Sequence, residues 1–119
     1  MSRILVIDDE EDLLIPLSHL LKKNGFEVAT LSRAATAFKI VEAFKPDLIL
    51  MDIKLHDLDG RDICWELKSN RKTSITKIIL CSAQLSKNQG YAEYGADDFI
   101  GKPFEYKALI KKINFHLKN

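Results

Sequence analysis

The stretch Asp47–Gly60, DLILMDIKLHDLDG, opens with four apolar residues, Leu48 to Met51, and then turns abruptly to Asp52. A continuous apolar run of this length, without polar alternation, reads as a strand buried on both faces, hence a mostly parallel sheet covered by helices. Ile4 to Ile7 and Ile78 to Cys81 are runs of the same kind. Phe26 to Leu31 alternates, as a less buried strand does, and Asp98 to Gly101 reads as a short fifth strand. Between these runs the apolar residues recur with a helical period: Leu13, Leu14, Leu17, Leu20 and Leu21, then Ala37, Ile40, Val41 and Phe44, and at the end Leu109, Ile110, Ile113 and Leu117.

Local signals mark the boundaries. Asn24-Gly25 ends the first helix and Pro46 follows the second. Ser32 is expected to cap the second helix. Pro16 removes a hydrogen bond inside the first helical pattern, so that helix is expected to start late or bend. A fourth helix around Ser86 to Tyr94 is expected to be short, because Gly90 in its middle costs about 1 kcal/mol relative to alanine. Strand and helix thus alternate to five of each. That rhythm specifies a doubly wound α/β domain, a five-stranded parallel sheet with right-handed crossovers.

The chain has 119 residues, the size of one domain, and residues 1–119 are read as one unit. Eighteen Lys and Arg against seventeen Asp and Glu give a formal charge of +1, so no general attraction to nucleic acid or anionic lipid is expected. No apolar run approaches the roughly 20 residues of a membrane helix. The N-terminal MSRILVIDDE meets acid too soon for a signal peptide. Cys64 and Cys81 make neither a disulfide framework nor a four-ligand zinc site, so a cytoplasmic protein with reduced thiols is expected.

In open α/β sheets the functional crevice lies beyond the carboxyl ends of the strands. Here those ends carry Asp8-Asp9, Asp52, Ser82 and Lys102-Pro103. Two carboxylates about 4 Å apart repel by about 4 kcal/mol at an effective dielectric near 20, so the rim calls for a cation. Lys102 offsets part of that charge, and a divalent ion such as Mg²⁺ suits the oxygen donors. An ionised Asp beside Mg²⁺ and a lysine is equipped to attack phosphorus and form an aspartyl phosphate.

Asp8-Asp9, the MDIKLHDLDG segment around Asp52, Ser82-Ala83 and GADDFIGKPF, taken in this order and spacing, resemble the receiver domain of bacterial response regulators. The resemblance covers essentially the whole chain. It implies a flavodoxin-like strand order, 2-1-3-4-5, and Asp52 as phosphoacceptor, charged from a phosphohistidine on a sensor histidine kinase or histidine phosphotransfer protein. It further implies that Asp9, Asp52 and the backbone carbonyl of Lys54 bind Mg²⁺ directly and that Asp8 acts through a water. Lys102 and Ser82 would contact phosphoryl oxygens, Phe99 would be the switch aromatic, and the Lys102-Pro103 bond would be cis. Output would pass to a downstream protein or a further domain, with no direct nucleic-acid contact and no membrane insertion, and the chain would not be an enzyme beyond turning over its own phosphoryl group.

Two positions and one segment stand out against the family's pattern. His56 stands where proline is common, and Lys54 occupies a variable position that tunes loss of the phosphoryl group. The segment from Ser82 to Gly95 is about two residues shorter than usual, roughly half a helical turn. Asp57 and Asp59, before Gly60, read as a turn and helix start rather than metal ligands. Asp97-Asp98 reads as solvent-facing acid, the lysines 107, 111, 112 and 118 as a solvated helix face, and Trp65 as partly exposed. Tyr91 and Tyr94 stand as interface candidates on the fourth helix. A pseudo-receiver that takes no phosphate is the alternative. A dehalogenase-type phosphohydrolase is disfavoured by Lys54, where that chemistry needs a second acid. A nucleotide-binding domain is disfavoured because no Gly-rich loop follows the first strand.

Overall fold

A computed structural model describes residues 1–56, 58–83 and 90–118. Five parallel strands, β1 (Arg3–Ile7), β2 (Glu27–Leu31), β3 (Leu48–Asp52), β4 (Lys77–Ser82) and β5 (Asp98–Gly101), form one sheet in the order β2-β1-β3-β4-β5. Four α-helices are present among the described residues: α1 (Glu11–Lys23), α2 (Ala37–Phe44), α3 (Gly60–Ser69) and α4 (Tyr106–Lys118). None is long and apolar enough to cross a membrane.

The apolar runs have the physical cause anticipated for them. Along β3, Leu48 and Leu50 enter one core with Ile4, Val6, Leu17 and Leu21 of β1 and α1 and Leu109 and Ile113 of α4. Ile49 and Met51 enter the other with Leu5, Ile7, Val41, Ile63 and Leu67, under α2 and α3. Successive residues of a strand point to opposite faces, and here both faces are dry. Every residue of β3 is buried, so its end, Asp52, is fixed by packing on both sides. Each fully buried Leu or Ile contributes roughly 1.5–3 kcal/mol relative to exposure.

Several boundaries differ from expectation. The first helix starts at Glu11, well before Pro16, and continues through it. The carbonyl that Pro16 leaves without its helical donor belongs to Asp12, and both residues are exposed, on the side of the helix that faces solvent. Ser32 does not cap the second helix. A 3-10 turn, Ala34–Thr36, leads into α2, and neither it nor α2 has a side-chain cap. The C-terminal signals hold: Asn24 ends α1 with Gly25 at φ +90°, and α2 ends at Lys45, left-handed at φ +52°, just before Pro46.

Of the fourth helix expected around Ser86 to Tyr94, residues 84–89 lie outside the described residues. The remainder is a 3-10 turn, Tyr91–Tyr94, entered through Gly90 (φ +69°) and left through Gly95 (φ +85°). Glycine at both ends supplies the left-handed conformations that confine this piece to one turn. Tyr91 stacks on Phe99 of β5, centroids 6.2 Å apart, and the Tyr94 ring lies 5.3 Å from the Arg61 guanidinium. These two interface candidates are therefore half-buried and engaged within the molecule. Trp65 is exposed, as expected.

Asp97 and Asp98 are not solvent-facing acids. Asp97 accepts a hydrogen bond from the Ile78 amide and pairs with Lys68 at 2.8 Å. Asp98 lies 3.1 Å from Lys112 Nζ and 2.9 Å from His116 Nε2, tying β5 to α4, so Lys112 is not merely solvated. Burial opposes ionisation of Asp98, but the His116 contact, the Phe99 amide and Lys112 outweigh it and hold its carboxyl below the usual range. A depressed carboxyl stabilises the fold above its unfolded value of 3.8, and that contribution is lost as pH falls through the lower folded value. Asp98→Asn should accordingly melt below the wild type at neutral pH, with the difference closing in strong acid. Melting temperature against pH checks this.

Candidate functional site

Beyond β3 the chain forms a two-residue antiparallel ribbon, Lys54–Leu55 with Leu58–Asp59, before α3 begins. Asp57 lies outside the described residues. Asp59 caps α3, accepting from the Arg61 amide at 2.8 Å, and the Arg61 side chain holds the Asp59 carboxyl below the usual range. This is the helix start read from the sequence. The ribbon, the β1–α1 turn, the ends of β4 and β5 and the start of α3 enclose an open cleft lined in part by Asp9, Glu10, Asp52, Lys54, Ser82 and Lys102.

Lys102 organises the cleft. Its Nζ donates to Asp8 Oδ2 at 2.7 Å, Asp52 Oδ2 at 3.1 Å and Glu10 Oε1 at 3.2 Å. Its backbone amide bonds the Ser82 carbonyl at 2.7 Å, and the following peptide bond, Lys102-Pro103, is cis as expected. Burial opposes the charge on Lys102, yet its hydrogen bond to Asp8 and the field of Asp52 hold its ammonium above the ordinary lysine value.

Asp8 is buried, at 2% exposure, and its Oδ1 accepts from the Glu10 amide at 2.9 Å. Asp52 is buried too, its Oδ1 3.3 Å from the Lys54 amide. Burial pushes the Asp52 carboxyl up, only partly offset by Lys102. A raised folded value means that ionised Asp52 costs stability at neutral pH, a cost relieved as pH falls through that value. Asp52→Asn should therefore raise the melting temperature at pH 7, with the gain shrinking on acidification. Thermal denaturation across pH tests the sign.

Three carboxylates, those of Asp8, Glu10 and Asp52, offer oxygens within 4.8 Å of one another. Against the single ammonium of Lys102 they leave a formal excess of two negative charges (three minus one). An all-oxygen donor set with this excess fits a hard divalent cation such as Mg²⁺. Asp9 stands apart from this cluster. Its Oδ2 accepts from the His56 amide at 3.2 Å and lies 3.9 Å from His56 Nδ1. The structure thus brings Asp8, Asp52 and Lys102 together, sets Asp9, Lys54 and Ser82 on the same cleft wall, and adds Glu10, which sequence reading passed over. The signal for Glu10 was present in Asp8-Asp9-Glu10: Glu10 is extended at φ −87°, ψ 93°, and alternate residues of an extended segment share a side.

Ser82 is buried at the end of β4, where it pairs in register with Gly101. Phe99 is half-buried against the α2–α3 core under the Tyr91 ring. The two cysteines offer no thiolate: burial pushes the Cys64 thiol up to about 12 and Cys81 higher still.

Comparison with known proteins bears on the whole chain. The response regulator receiver domain family matches residues 4–114. Among curated relatives, the Bacillus subtilis alkaline phosphatase synthesis transcriptional regulatory protein PhoP is 37% identical over 116 residues, covering 94% of this chain and 48% of that protein. The Mycolicibacterium smegmatis sensory transduction protein RegX3 is 31% identical, covering 99% and 51%. The chain spans about half the length of these relatives. Among solved structures, a CheY-like receiver domain protein of Methanospirillum hungatei superposes with TM-score 0.91 at 28% identity, covering 99% of this chain and 94% of that one. The BeF3-activated receiver domain of Klebsiella pneumoniae RstA gives 0.91 at 26%, covering 99% and 100%. Strand order, the acids at the strand ends and a match running almost from end to end agree, and the chain belongs to the response regulator receiver domain family of two-component signalling.

Proposed function

We propose that Asp52 accepts a phosphoryl group from a phosphohistidine donor, a sensor histidine kinase or a histidine phosphotransfer protein, and that the acyl phosphate changes the protein's contacts. The observation that carries this reading is the Asp52 carboxylate, buried at the end of a strand packed on both faces and held 3.1 Å from Lys102. An Asp52 carboxylate oxygen attacks phosphorus, the phosphorus–nitrogen bond to the donor imidazole breaks, and the imidazole keeps that electron pair. Such a transfer asks for an in-line nucleophile and positive charge around the phosphoryl oxygens. Lys102 supplies one positive group, and Ser82 at the end of β4 supplies a hydroxyl to another oxygen.

Mg²⁺, when bound, neutralises charge on the phosphoryl oxygens. Asp9, Asp52 and the Lys54 carbonyl would hold it, with Asp8 acting through a water. As the phosphoryl group engages Ser82, Phe99 would turn inward, loosening its stack with Tyr91. The turn Tyr91–Tyr94, β5 and α4 are then the surface whose contacts change. PhoP is by its name a transcriptional regulatory protein. Output from this receiver would run through a partner protein or a further domain.

Intact mass after incubation with Mg²⁺ and acetyl phosphate tests the reading. The expected result is a gain of one phosphoryl group in the wild type, none in Asp52→Asn and none with chelator. No gain in the wild type would overturn it and leave a pseudo-receiver.

A further inference from the structure

Lys102 has no donor to spare. An ammonium carries three N–H donors and no acceptor. All three are taken here, by Asp8 Oδ2 at 2.7 Å, Asp52 Oδ2 at 3.1 Å and Glu10 Oε1 at 3.2 Å. A phosphoryl oxygen that is to bond Lys102 must therefore displace a carboxylate. The three are not equally easy to displace. Asp8 is 2% exposed and makes the shortest bond, and a buried carboxylate stripped of its cation is strongly destabilised. Asp52 is the attacking group and has to stay beside the ammonium while it reacts. The Glu10 side chain is 65% exposed, so water takes the place of Lys102 at little cost.

A second observation sets Glu10 apart. It stands at the N-cap of α1, where a short side-chain oxygen usually accepts from the first amides of the helix, yet it makes no side-chain capping bond. Its carboxylate instead reaches Lys102, 92 positions away in sequence. We propose that Glu10 is a placeholder on Lys102: in the resting protein its carboxylate occupies the ammonium donor that a phosphoryl oxygen takes over, and so it sets how readily the cleft accepts a phosphoryl group. The inference rests on the reading of Asp52 as phosphoacceptor. Both occupants are anionic oxygens competing for one N–H at the mouth of the cleft that Glu10 and Lys102 line. Asp8 holds Lys102 in place through the exchange, and the displaced Glu10 carboxylate returns to water. Glu10 is thus a positioning residue that acts through Lys102 and needs no contact with phosphorus.

Two substitutions separate direct competition from the general repulsion that any nearby acid exerts on an anion. Glu10→Ala removes both the contact and the charge. Glu10→Asp keeps the charge on a side chain one carbon shorter, out of reach of Lys102 and suited to cap α1. Neither disturbs the core, because Glu10 is exposed and caps nothing. The probe is beryllofluoride, an anion that stands for the phosphoryl group, titrated by calorimetry into the full chain with Mg²⁺ saturation established for each variant. Intact mass during incubation with acetyl phosphate gives the rate of uptake. The expected result is beryllofluoride binding about threefold to fivefold tighter in both variants, the range of an exposed ion pair, with uptake faster in proportion. Unchanged or weaker binding in both would overturn the proposal. So would tighter binding by Glu10→Ala with Glu10→Asp at the wild-type value, which assigns the effect to charge alone. A wild type that takes up neither beryllofluoride nor a phosphoryl group overturns the reading of Asp52 itself, whereas normal wild-type uptake with indifferent variants overturns this inference alone.

Discussion

Gly60→Ala should lose about 2–3 kcal/mol of stability and take up phosphoryl groups about a hundredfold more slowly, although no charged group is altered. A Cβ at position 60 would collide with the Asp52 carbonyl oxygen and lie 3.1 Å from both the Asp52 carbonyl carbon and Ile53 Cα. These are main-chain atoms, which cannot swing aside as the tip of a side chain does. The Gly60 amide also donates to the Ile53 carbonyl at 2.6 Å, so helix and strand end already touch. Relief must move the start of α3 or the end of β3, and a shift of the strand end displaces Asp52 from Lys102. Chemical denaturation and the rate of mass gain with acetyl phosphate are the readouts. A variant with wild-type stability and rate would show that the strand end yields freely, contrary to its burial on both faces.

Lys102→Met should cost about 3–5 kcal/mol at neutral pH, because it strands the carboxylates that one ammonium now serves. Asp8 is 2% exposed and the Lys102 side chain 12%, so water replaces little of the lost interaction. The pH dependence follows from the charges. In the wild type Lys102 is held above its ordinary 10.5, so its contribution is complete below that value and is lost only as pH rises through the higher folded value. In the variant the penalty is that of unpaired carboxylates, which protonation removes, so its deficit should shrink as pH falls into the carboxyl range. Mg²⁺ should restore part of the variant's stability and raise its melting temperature more than it raises the wild type's. Melting temperature measured against pH, with and without Mg²⁺, checks each of these signs. A deficit that is flat with pH would mean that the lost methylene packing, rather than charge, dominates.

The fold was legible because its central strands are buried twice over. Ile4 to Ile7, Leu48 to Met51 and Ile78 to Cys81 alternate between two cores, and only such strands write uninterrupted apolar runs. Each run stops at the crevice, which is why Asp8, Asp52 and Ser82 could be placed before any coordinates. What stayed hidden depends on a dihedral angle or on a distant partner. Whether Asp9 or Glu10 faces Lys102 turns on the extended backbone at Glu10. That Asp98 is bound depends on Lys112 and His116, more than a dozen residues away. Nothing within the helical stripe of α2 distinguishes a cap at Ser32 from the 3-10 entry that replaces it.

The central claim is that Asp52 is the residue that carries the phosphoryl group. Its most direct test is borohydride trapping after incubation with Mg²⁺ and acetyl phosphate, followed by peptide mapping. Hydride reduces an aspartyl phosphate to homoserine and leaves free carboxylates untouched, so the label reports the site itself. The account predicts reduction at position 52 alone, dependent on Mg²⁺ and absent when the phosphodonor is left out. Reduction at Asp8, Asp9 or Glu10 with Asp52 intact would contradict it.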